Sequence, residues 1–232
     1  MDKPSNQYPI QLIEDDDALA QSIMGLLSSL QYTYVHYRNA EDFLSSLKNN
    51  PEAMKLSSCV ISDVRLPEQS GLDILTVLKR DYPKCVWPII LITGHGDIAM
   101  AVDALHQGAL DFLTKPFDPY ILIKKIAQAV EKSQNLKIQQ DFLVDYTNRL
   151  SLLTDHEKIV FTMMMRNQTS REIAEHLGNS TRTIEVHRAA VFKKMDVQSV
   201  LQLAQQNERY EMIVGNTNPK NYSIYAYPQK IP

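Results

Sequence analysis

Only two cysteines occur in the 232 residues of the chain, so no disulfide framework is expected, and free thiols in a reducing compartment fit better. Cys59 falls inside a predicted buried strand and Cys85 in a separate loop. No apolar stretch approaches the roughly 20 residues that cross a bilayer. The opening MDKPSNQYP also lacks the apolar core of a secretory leader. The expectation is a cytoplasmic protein with no membrane partner. No internal repeat is visible, and no strand pattern follows Leu150. What the chain does contain is ordinary for a globular protein, 44% hydrophobic and 22% charged. Its length suits one large domain or two small ones.

Charge is divided unevenly. Residues 1–130 hold 11 Lys/Arg against 16 Asp/Glu, a net of −5, whereas residues 131–232 hold 13 against 11, a net of +2. An acidic regulatory or metal-binding half joined to a half that can approach nucleic acid fits this division.

Up to about residue 130, short apolar runs alternate with amphipathic segments. The predicted strands are Tyr8 to Ile13, Thr33 to Tyr37, Ser57 to Ser62, Trp87 to Ile92 and Ala109 to Leu113. Helical spacing resumes near Asp17, Asn39, Ser70, Asp97 and Pro119, most of them good N-cap or N1 residues. Five βα units in a row predict an α/β fold: a doubly wound, five-stranded parallel sheet of order 2-1-3-4-5, its switch point between strands one and three. From Ile121 to Asn148 the apolar period continues without Gly or Pro, so the last helix is expected to run on as a linker. Four helices are then predicted at Thr154 to Arg166, Ser170 to Leu177, Thr181 to Met195 and Gln198 to Arg209, a separate all-α unit. The spacing therefore divides the chain into a domain over 1–130, a helical linker over 131–149, a second domain over 150–212, and a disordered tail over 213–232, rich in Asn, Tyr and Pro from Gly215 onward.

Polar residues fall just past four strand ends, the edge where open α/β sheets bind ligands. Asp63 follows CVIS, Glu14 and Asp15 follow YPIQLI, Thr93 follows WPIILI, and Lys115 lies in FLTKPF. Alone, the acidic run is a solvated helix cap, Thr93 a turn residue and Lys115 a surface lysine. Brought together, Glu14, Asp15 and Asp63 would repel one another unless a cation neutralised them. A hard divalent ion, Mg²⁺, suits two carboxylates plus a backbone carbonyl near Arg65. Asp63 could then attack a phosphoryl group and become an acyl phosphate, with the Lys115 charge and the Thr93 hydroxyl serving the phosphoryl oxygens.

Through IEDD, ISDVRLPEQSG, LITGHGD and DFLTKPF, residues 8–130 resemble the receiver domain of two-component response regulators. The resemblance implies that Asp63 is the phosphoacceptor, that Glu14, Asp15, Asp63 and the Arg65 carbonyl hold Mg²⁺, and that a sensor histidine kinase is the donor. It further implies that Thr93 is the switch hydroxyl, Phe112 the switch aromatic and Lys115 the phosphate-binding lysine, preceding a cis peptide to Pro116. Arg65 and His95 occupy positions that tune hydrolysis of the acyl phosphate in that family. ITGHGDIAMAVDALHQGALDFLTKPF is similar to the FixJ class and implies a homodimer through the Asp97 to Phe117 surface on phosphorylation.

In the second half, Arg182, Arg188, Lys193 and Lys194 gather on one predicted helix, opposed within it only by Glu185. A short helix precedes it across Gly178-Asn179-Ser180, the arrangement by which helix-turn-helix proteins enter the major groove. SREIAEHL followed by STRTIEVHRAAVFKKM resembles the LuxR/FixJ output class (NarL-like) over residues 150–208. On that resemblance Ser180, Thr181, Arg182, Thr183 and His187 lie near the DNA backbone or groove floor. Glu185, Val186 and Arg188 become candidates for base edges, with Lys193 and Lys194 as further contacts. Ile173, Ala174, Leu177, Ile184, Val191 and Met195 fall at core spacing. Three residues depart from the family pattern: His156 for Arg, Asn167 for Gly, and Asn179 for an apolar turn residue. The expected whole is a DNA-binding regulator with only phosphoacceptor and autophosphatase chemistry, and with double-stranded DNA and RNA polymerase as partners. An aspartyl-phosphate enzyme is disfavoured because Arg65 stands where a second catalytic acid would.

Overall fold

The computed structural model describes residues 9–94 and 98–217; His95, Asp97, Tyr8 and residues 218–232 of the expected tail lie outside them. Two compact units divide between residues 138 and 139. The first holds five parallel strands, β1 (Ile10–Ile13), β2 (Tyr34–Tyr37), β3 (Val60–Asp63), β4 (Ile89–Thr93) and β5 (Asp111–Thr114), in the order β2-β1-β3-β4-β5. Between them run α1 (Asp17–Ser29), α2 (Ala40–Asn49), a short 3-10 helix (Pro51–Lys55), α3 (Gly71–Asp81) and α4 (Ile98–His106); α5 (Pro119–Ser151) follows.

Each strand serves two cores because neighbouring side chains point to opposite faces. Val60, Ile89 and Leu91 pack with α2 and α3 through Phe43, Leu47 and Ile74. Ile61, Ile90 and Ile92 pack with α1 and α5 through Ile23, Leu27, Leu122 and Ile126. Burial of each such side chain is worth about 1.5–3 kcal/mol, so these near-continuous apolar strands need cover on both faces. Helix entry is set by local chemistry. Asp16 accepts from the Ala18 and Leu19 amides, Asn39 from Asp42, and Ser70 with Asp73 forms a capping box.

Several strands start later than the apolar runs suggest. Ser57, Ser58 and Cys59 are buried but precede the ladder, in which Val60 already pairs with Ile89. Ser57 forms only an isolated bridge and the Cys59 carbonyl accepts from the Gln11 amide at 3.0 Å, so burial begins there before the regular ladder does. Ser58 instead turns its amide to the Ser133 hydroxyl of α5 at 3.0 Å and its own hydroxyl to the Pro9 carbonyl. Both cysteines are free, and burial pushes the Cys59 thiol up to about 12 and the Cys85 thiol up to about 11.

The second unit contains the last turns of α5, then α6 (Asp155–Met165), α7 (Ser170–Leu177), α8 (Thr181–Met195) and α9 (Val200–Thr217). Its core includes Tyr146, Val160, Met164, Ile173, Ile184, Val191, Met195 and Leu203. Capping boxes open α6 (Thr154, Glu157) and α7 (Thr169, Glu172), and Ser180 caps α8. Asn167 takes the left-handed conformation (φ 59°) that the glycine-like position requires. Asn179 resolves its polarity locally: its side-chain amide donates to the Leu177 carbonyl at 3.3 Å. α9 continues past Arg209 to Thr217, into the segment expected as tail from residue 213. Gly215 is tolerated within that helix.

Gly71 marks the tightest approach in the first unit. A Cβ there would lie 2.4 Å from the Asp63 carbonyl oxygen and 2.9 Å from Leu91 and Ser62 side-chain atoms. Gly71→Ala should therefore lose about 1–3 kcal/mol through overpacking. Gly25→Ala, on an open face of α1 with nothing within 4 Å, should gain roughly 0.5–1 kcal/mol from helix propensity. The buried Trp87, the single tryptophan, reports both by fluorescence in urea titrations.

Candidate functional site

β1, β3 and β5 end at one edge of the sheet, and each delivers a charged side chain there. Lys115 Nζ donates to Asp63 Oδ2 at 2.5 Å and to Glu14 Oε2 at 2.9 Å. Ligand oxygens of Glu14, Asp15 and Asp63 lie within 4.8 Å of one another, the first and last buried and Asp15 exposed. The structure thus brings Glu14, Asp15, Asp63 and Lys115 together. Thr93, fully buried at the end of β4, pairs with Thr114 across the ladder next to Lys115. The Lys115–Pro116 peptide is cis. Phe112 is half-buried against the α3-side core. Arg65 is exposed, and its amide donates to Asp63 Oδ1 at 2.9 Å, which fixes the carboxylate plane.

Electrostatics follow from one cation facing three anions. Burial raises the Glu14 carboxyl, with the nearby Asp63 charge adding to it, against the lowering effect of Lys115. For Lys115 burial acts downward, but hydrogen bonds and charge from Asp63 and Glu14 outweigh it and hold the ammonium above its ordinary range. All-oxygen carboxylate donors this close together suit a hard divalent ion that retains waters. His36 was missed by sequence reasoning: its Nε2–H donates to the Glu14 carbonyl at 2.8 Å and holds the β1 end. Residue 36 lies a full strand from Glu14, and no local pattern signals the contact.

In the second unit α8 shows a polar, basic outer face. Ser180, Thr181, Arg182, Thr183, Glu185 and Lys193 are exposed, and Val186 is 63% exposed, an apolar side chain on an otherwise polar surface. The Ser180 hydroxyl is used twice, accepting from the Thr183 amide at 3.1 Å and bonding its hydroxyl at 2.8 Å. His187 stacks beside His156, ring centroids 6.2 Å apart. Arg188 leans inward, Nη1 lying 3.4 Å from the Gln168 carbonyl. Lys194 reads differently from the sequence expectation: its ammonium is paired with the buried Glu157 carboxylate at 2.6 Å rather than offered on the helix face. The partners stand 37 residues apart, so the sequence showed only another basic residue on α8.

Both halves of the chain match known families. Residues 10–127 match the response regulator receiver domain, and residues 151–206 match the bacterial regulatory proteins of the luxR family. The chain is 34% identical over 196 residues to the transcriptional regulatory protein FixJ of Azorhizobium caulinodans, covering 84% of this chain and 89% of that protein. It is 32% identical over 200 residues to the response regulator protein TodT of Pseudomonas putida, covering 86% and 85%. Among solved structures, the response regulator StyR superposes with a TM-score of 0.76 at 29% identity, over 87% of this chain and 98% of that one. Full-length FixJ from B. japonicum does so with a TM-score of 0.54 at 32% identity, over 90% and 99%. The chain belongs to the response regulators with a receiver and a LuxR-family output domain and controls transcription in dependence on phosphorylation.

Proposed function

We propose that Asp63 accepts a phosphoryl group from a sensor histidine kinase and that the resulting acyl phosphate raises DNA occupancy by α8 in a homodimer. The observation that carries this reading is the Lys115 ammonium held between the Asp63 and Glu14 carboxylates. An Asp63 oxygen attacks phosphorus while the bond from phosphorus to the kinase imidazole breaks, its electron pair returning to the ring nitrogen. Lys115 loses one carboxylate charge at Asp63 and gains the phosphoryl oxygens within reach of the same ammonium. Thr93 supplies a hydroxyl to those oxygens, and Phe112 follows it inward. Glu14, Asp15, Asp63 and the Arg65 carbonyl would hold Mg²⁺, which when bound neutralises charge on the transferring group. Hydrolysis of the acyl phosphate returns the resting state, with Arg65 and His95 setting its rate. RNA polymerase is the partner that the DNA-bound form serves.

A shift of the active state from 1% to about half requires roughly 2.7 kcal/mol of differential stabilisation. That is modest for an anion meeting a lysine and a hydroxyl. Beryllofluoride should therefore tighten DNA binding by the wild-type chain about 5- to 150-fold and leave Asp63→Asn unchanged. Equal affinity in all four samples, measured by fluorescence anisotropy, would overturn the proposal.

On α8 the exposed and the paired cations should separate experimentally. Arg182→Gln should lower the slope of log affinity against log salt by about 1 without affecting folding. Lys194→Met instead strands the Glu157 carboxylate and should cost about 2–4 kcal/mol in urea unfolding followed by far-UV circular dichroism. Burial acts to raise Glu157, but the hydrogen bonds from Lys194 and Thr154 prevail and hold its carboxyl below the ordinary range. A depressed folded-state value contributes stability above the unfolded value, lost as pH falls through the folded one. An acid titration of the wild type should show this loss, and Glu157→Gln should show a smaller one.

A further inference from the structure

The exit of α8 is held by a residue that lies outside the helix-turn-helix match. α8 ends at Asp196 in the left-handed conformation (φ 54°, ψ 53°), which is uncommon for a non-glycine residue, less so for Asp, and gains from support. Arg149, near the end of α5, supplies it. Its Nη1 donates to the Met195 carbonyl at 2.9 Å and pairs with Asp196 Oδ2 at 3.2 Å, while Nε pairs with Asp145 at 3.0 Å. The guanidinium thereby satisfies a carbonyl that a helix end leaves open and sets positive charge at the negative end of the helix dipole. Asp196 is 81% exposed, so the ion pair itself is screened and contributes little; position is what the fork fixes.

The carrier of Arg149 is fixed in turn. The fully buried Tyr146 ring lies between Phe142 and Tyr210, centroids 5.6 and 4.9 Å away, and its hydroxyl donates to Asn207 at 2.9 Å. The Arg209 guanidinium covers Phe142 at 4.1 Å. The last turns of α5 and the middle of α9 are one block, and that block grips the end of α8.

We infer that Arg149 is a positioning residue for DNA recognition: it sets the angle and end of α8 and leaves the phosphates to other side chains. The inference rests on α8 being the helix that reads DNA. The test uses the full-length chain and a duplex selected by the wild type from a random pool. Arg149→Met should weaken binding about 3- to 10-fold with the salt slope unchanged, because no phosphate contact is lost. Arg149→Lys should recover part of the affinity. Asp196→Gly, which accepts the left-handed conformation without a partner, should restore affinity in the Arg149→Met background, and it carries the test if the single variant folds poorly. Unchanged affinity in Arg149→Met overturns the inference, and so does a reduced salt slope, which would make Arg149 a direct contact. Arg182→Gln in the same series separates the two readings. If it too is silent, α8 is not the reading helix and both fall; if it weakens binding while Arg149→Met does not, the inference alone falls.

Discussion

One ammonium among three carboxylates is the interaction on which the receiver is built. Glu14 and Asp63 are nearly inaccessible to solvent, and buried carboxylates so close together are tolerated only with positive charge in reach. Lys115 can meet that need only from the end of β5, because β3 and β4 stand between β1 and β5 in the sheet. Strand order, the turn after β5 and the two-sided apolar core all serve to bring one cation to that edge. The short Arg65 amide contact and the His36 contact to the Glu14 carbonyl then fix the anions it must face.

The output unit uses the same chemical pair for the opposite purpose. Lys194 and Glu157 tie α8 to α6 beside a buried carboxylate that also caps its own helix through Thr154. In the receiver the lysine faces two carboxylates and a third nearby, so its allegiance can be redistributed. A lysine bonded to a carboxylate is a switch or a rivet according to how many acceptors surround it.

Features governed by local chemistry were legible in the sequence. N-cap or N1 residues near Asp17, Asn39 and Ser70 located helix starts to within a residue, and the limits of α8 were read correctly. The strand order followed from the βα alternation, and the gathering of Glu14, Asp15, Asp63 and Lys115 followed from that order. Strand starts were less legible because burial at Ser57 to Cys59 precedes the regular ladder, which begins at Val60. The 3-10 helix at Pro51–Lys55 has too few residues to show a period. Long-range pairs left no trace: Lys194 looked like another groove cation, and Arg149 looked like linker surface. Each acquires its role from a partner more than 35 residues away.

Gly71 has a mechanical consequence for Asp63. With the start of α3 packed directly on the Asp63 carbonyl and the Gly71 amide bonded to the next carbonyl, Val64, at 3.1 Å, the backbone behind the aspartate has no slack. Volume added to the carboxyl cannot be absorbed by retreat toward α3. Thr93 and Lys115, at the ends of β4 and β5, lie on the other flank of the carboxylate. The α3 side of the aspartate is therefore closed by backbone, and the space around its carboxylate opens only toward the strand ends that carry Glu14 and Lys115.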